Sequence, residues 1–81
     1  MNDREQTTID QVEAGPACAA YLCKQLALPK GSIKTYGELE ATMHTLRDKL
    51  NAEHGETLGT IKYMERLAEM HNQALASTAP T

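Results

Sequence analysis

Two cysteines, three histidines and a run of lysines are the side chains of this 81-residue chain best suited to chemistry. Cys18 and Cys23 stand five apart. On a helix that spacing turns them about 140° away from one another, at about 100° per residue, so they cannot share a metal ion. Nor is it the Cys-x-x-Cys spacing of redox or zinc sites. Both read as small apolar residues carrying reduced thiols. His44 has Glu40 and Asp48 one helical turn to either side, an arrangement for surface ion pairs. His54 falls in a last helical turn, where a cation suits the helix dipole. His71 follows Leu67 and Ala68 by four and three residues and precedes Leu75 by four. It is therefore expected on an apolar face, as a core or interface histidine. No second ligand stands at helical spacing from it, so no metal is expected. Glu65 and Glu69 alternate with Lys62 and Arg66 as a surface charge ladder. No nucleophile–base pair, phosphate-cradling glycine loop or carboxylate pair stands out. The expectation is a chain that is no enzyme and holds no cofactor.

The lysines pose a sharper question. No acid lies between Glu13 and Glu38, whereas Lys24, Lys30 and Lys34 do. With Arg47 they form a candidate anion or nucleic-acid contact at the start of a helix, where backbone N–H groups also favour negative charge. A helix-turn-helix DNA-binding regulator is thus the alternative reading. Three features disfavour it. The would-be recognition helix opens on Glu38 and Glu40, which phosphates repel. It has no Asn, Gln or Arg in its first turns to read base edges. The connector 28–34 is longer than the usual turn of three or four residues. The stretch LPKGSIKTYGELE resembles the segment entering the DNA-binding helices of the O6-alkylguanine alkyltransferase family. That family's Pro-Cys-His-Arg motif has no counterpart here, so no function is carried over.

The elements that must position these residues are helical. Gly15-Pro16 opens a first helix over about 16–27, rich in Ala and Leu, which Pro29 and Gly31 end. Ile9 and Val12, ahead of it, suit a short turn packed back on the bundle. Thr35 and Glu38, three apart, form a capping box, with Ile33 just outside to cover the first apolar residues. The second helix runs from Tyr36 to about His54, with Tyr36, Leu39, Met43, Leu46 and Leu50 in a 3-4-3-4 seam. Gly55 suits a left-handed stop. The third helix spans about 57–76, capped by Thr57 or Thr60, with Leu58, Ile61, Met64, Leu67, Ala68, Met70 and Leu75 as its apolar residues. A short connection makes the two long helices antiparallel neighbours. The fold class is all-α: a long antiparallel helical hairpin, 36–54 with 57–76, plus an N-terminal helix in a small bundle. Residues 1–81 make a single domain, with 1–8 and 77–81 expected to be disordered.

Composition bounds the function. Nine Leu, three Ile, one Val, four Met and three Tyr, with no Phe or Trp, make a lean core, and eleven Ala add little buried area. Such a core invites a second chain to complete it. The net charge of −3 argues against a surface that attracts nucleic acid throughout. The opening MNDREQTTIDQ has no basic start followed by an apolar stretch, so a cytoplasmic protein is expected. No run approaches the ~20 apolar residues of a membrane span. We therefore expect a non-enzymatic protein–protein interaction module: a small regulator, adaptor or inhibitor of bacterial or phage type, and a homodimer. The expected partner or dimer contacts are Leu39, Met43, Leu46 and Leu50 on the second helix. On the third they are Met64, Leu67, His71 and Leu75. The pattern does not divide them between core and partner surface.

Overall fold

The computed structural model describes residues 6–78. A 3-10 turn, Ile9–Gln11, precedes three helices: α1 (Gly15–Gln25), α2 (Tyr36–His54) and α3 (Glu56–Thr78). Helices α2 and α3 lie along one another as the expected hairpin, and α1 packs across both. None of the described helices is long and apolar enough to cross a membrane.

Local chemistry sets the boundaries. Pro16 occupies the first turn of α1, where its missing N–H costs nothing. Ahead of it, a Cβ at Gly15 would collide with the Ile9 carbonyl, so the turn and the helix touch through bare backbone. The end of α1 falls at Gln25, short of the expected 27. Ala27 takes a left-handed φ of 54°. The Leu28 N–H then reaches back to the Cys23 carbonyl at 2.8 Å. This is a Schellman closure, with Ala where Gly is usual. The helix is thus stopped by its own terminal hydrogen bonding, before Pro29 can act. Thr35 and Glu38 form the capping box at the head of α2: Glu38 N–H donates to Thr35 Oγ1 at 3.2 Å, and Thr35 N–H donates to Glu38 Oε1 at 3.1 Å.

The reversal between the long helices takes one residue. Gly55 has φ 86° and ψ 160°, a region that side chains other than hydrogen avoid. Helix α3 accordingly begins at Glu56, and neither Thr57 nor Thr60 caps it. Thr60 instead donates its hydroxyl to the Glu56 carbonyl at 2.7 Å. Four residues on, Gly59 lies against α2, where an added Cβ would stand 2.5 Å from the Asn51 Cα. So tight a turn forces the two backbones together, and only glycine fits the first crossing.

The core is one cluster spanning the three helices, the 3-10 turn and the connector between α1 and α2. Leu22 is fully enclosed at its centre, and Ile9, Tyr21, Ile33, Leu39, Leu46, Leu50 and Met70 surround it. Ile9 and Ile33 reach it because the segments that carry them pair, 7–9 with 34–36. Ile9 N–H donates to the Lys34 carbonyl at 2.9 Å, and Tyr36 N–H donates to the Thr7 carbonyl at 2.8 Å. Residues 7 and 8, within the stretch 1–8 expected to be disordered, are thus part of this pairing at the head of α2. Helix α3 also continues through 77 and 78. The rest of the disorder expected at the two ends, 1–5 and 79–81, lies outside the described residues.

Candidate protein-contact face on helix α3

The seam of α2 is consumed inside the chain. Leu39, Leu46 and Leu50 are buried and Met43 is half-buried against the same cluster. Leu39, Leu46 and Leu50 are thus spent on the core of this chain, and Met43 keeps only part of its surface open. Leu67 of α3 joins them, half-buried against the cluster.

The other three expected contacts face outward. Met64 is 63% exposed and Leu75 54% exposed. His71 is exposed as well, so of its two expected places, core or interface, it is not in the core of this chain. Ile61, at 50%, and the exposed Ala68 complete the pattern. At about 100° per residue, Ile61, Met64, Ala68, His71 and Leu75 fall within about 80° of arc. Gly59, Tyr63, Leu67, Met70 and Ala74, which are buried or half-buried, occupy a second arc centred about 120° away. Helix α3 therefore carries two apolar stripes. One closes the bundle, and the other meets water. Leu58, 55% exposed, borders the outer stripe at its N-terminal end. Ile61 and Ala68 belong to this surface as much as Met64, His71 and Leu75 do. Their 3-and-4 spacing carried the signal, but a single broad apolar face obscured the division in two.

The lysines meet elsewhere. Lys24 and Lys30 line an open groove of about 600 Å³ whose floor includes Ile9, Ala19, Cys23 and Ile33. Lys34 lines a smaller adjoining hollow with Thr8 and Asp10. Arg47 is not with them. It stands on α2, paired with its neighbour Asp48 at 3.2 Å. The head of α2, where an anion would be drawn, is already occupied: Glu38 Oε1 accepts the N–H groups of both Lys34 and Thr35, each at 3.1 Å.

One polar contact ties α1 to α3. The Tyr21 hydroxyl donates to Glu69 Oε1 at 2.6 Å. Burial, that hydrogen bond and the Glu69 charge push the Tyr21 phenol up to about 12, against a smaller opposing pull from Arg66. Burial also raises Tyr63, with Arg47 opposing, and raises the half-buried Cys18 thiol. Cys23 is buried, and its sulfur lies 3.6 Å from Ser32 Oγ. Among the described residues, no three His, Cys, Asp or Glu side chains gather as metal ligands would. Compared with protein-family models, curated proteins and solved structures, the chain finds no match.

Proposed function

We propose that this chain is a non-enzymatic protein–protein interaction module, a small cytoplasmic regulator, adaptor or inhibitor whose contact surface is the outer face of α3. The observation that carries the reading is the second apolar stripe. Ile61, Met64 and Leu75 are each at least half exposed, although the chain already closes a core around Leu22 with the other stripe of the same helix, about 120° away. Single exposed apolar residues need no explanation, but an aligned row along one helix is the mark of a helix-packing surface. The helix-turn-helix alternative has less support. Its four cations are split between a groove, an adjoining hollow and an ion pair on α2, and the anion position at the head of α2 is filled by Glu38.

The double substitution Met64→Glu with Leu75→Glu tests the reading. Both positions are exposed, so the fold and its melting temperature should be retained. Association with whatever polypeptide the native protein holds in its cell, another copy included, should be lost. Association undiminished in the variant would place the contact elsewhere.

A further inference from the structure

The outer stripe of α3 has a symmetry that points to its occupant. Thr57, Ile61, Met64, Ala68, His71 and Leu75 follow one another at intervals of 4, 3, 4, 3 and 4, the a/d seam of a two-helix coil. The seam is close to palindromic about Ala68. Ile61 and Leu75 lie seven residues to either side of it, and Met64 and His71 lie four and three. We propose that two copies of this chain pair α3 against α3, antiparallel, with the two-fold axis at Ala68. The proposal rests on the reading of this face as a protein contact and names its occupant.

Size and charge both select this arrangement. Antiparallel pairing sets Ile61 of each copy against Leu75 of the other, and Met64 against His71. It leaves the smallest residue of the seam at the crossing, where a Cβ alone lets the helices approach closely. Glu65, on the flank of the seam, then meets His71 and Asn72 of the other copy. Parallel pairing would instead set His71 against His71 within the seam, placing like groups together. The exposures of Leu58, Ile61, Met64 and Leu75 leave on the order of 400 Å² of large apolar side chain open per copy, the scale of the largest patch on an ordinary monomer. Pairing covers at most on the order of 800 Å² of it across both copies, below the ~1,200 Å² at which stable specific interfaces begin, so the dimer is weak and forms reversibly with concentration.

Cysteine scanning of the full chain tests the register, because a disulfide forms only where two Cα atoms come within about 7 Å. The unsubstituted protein, with Cys18 half-buried and Cys23 buried, sets the background. Under mild oxidation Ala68→Cys should form a linked dimer above that background. Met64→Cys alone should stay monomeric under denaturing electrophoresis, and link when mixed with His71→Cys. Circular dichroism of each variant should match the parent, and a variant that fails this check is replaced by Ile61→Cys mixed with Leu75→Cys. Linkage of Met64→Cys to itself as readily as Ala68→Cys would show parallel pairing and overturn the proposal. Absence of linkage at every seam position would overturn it too. In that case, a cellular association that still fails with Met64→Glu and Leu75→Glu leaves the contact face standing with a different occupant. An association indifferent to those substitutions removes both readings.

Discussion

Gly59 reverses the usual effect of alanine in a helix. In an exposed helix interior, Gly→Ala gains up to about 1 kcal/mol. Here the added Cβ would stand 2.5 Å from the Asn51 Cα and 2.7 Å from its nitrogen, atoms of a packed backbone that cannot turn aside. Gly59→Ala should therefore destabilise, by about 1–3 kcal/mol as other overpacked contacts do, read from thermal unfolding. A stabilised variant would show that the helices do not cross so closely. Tyr21 gives a pH-dependent counterpart. Its phenol, raised from 10 to about 12, keeps its proton over a range in which the unfolded chain has lost it. Its contribution to stability is thus whole below pH 10 and declines as pH climbs toward 12. Ultraviolet titration should show a phenol that ionises only as pH nears about 12, and Tyr21→Phe should abolish that last step. At this scale the sequence was readable only where partners are close along the chain. The Thr35–Glu38 box stood out because its members are three residues apart. The Tyr21–Glu69 bond joins residues 48 apart, and the approach of Gly59 to Asn51 depends on how the hairpin closes; neither leaves a mark on local spacing.

At the scale of elements, the strongest signals were start and stop chemistry. Thr35, Glu38 and Gly55 placed α2 at its observed bounds, because cap side chains and a positive φ are local requirements. The end of α1 was misplaced because Ala27 adopts a conformation that its type does not advertise. Substituting Ala27→Gly should relieve that strain and raise stability by up to about 1 kcal/mol, measured by denaturant midpoint. Removing the other cap acts in the opposite sense. Thr35→Ala should cost about 1 kcal/mol, and more would mean that the pairing of residues 7–9 with 34–36 depends on it. The third helix was legible in existence but not in orientation. Apolar residues surround so much of it that the 3.6 period shows its helicity without saying which stripe faces α2. Burial decided that: the α2 seam and the arc through Met70 form the core, and the arc through Met64 does not.

For the molecule as a whole, the lean composition read as an unfinished core, and the structure relocates the deficit. The chain encloses Leu22 completely, and Leu22→Ala should cost about 2–5 kcal/mol, enough to unfold much of a domain this small. Apart from the groove beside Ile9 and Ile33, the large apolar side chains left open lie on the outer face of one helix. Sequence could not separate these cases, since both spend the same Leu, Ile and Met residues. The acidic balance and the filled anion position at the head of α2 predict indifference to heparin at low salt. Retention that fell steeply with added salt would favour the DNA-binding alternative. The central claim, that the α3 outer face is a contact closed by another copy, meets its most direct test in light scattering. Molar mass of the full chain, followed over a wide concentration series, should rise from that of one chain toward that of two, and Ala68→Glu should hold it at one with helicity unchanged. A mass fixed at one chain throughout, or a dimer that survives Ala68→Glu intact, would contradict the account.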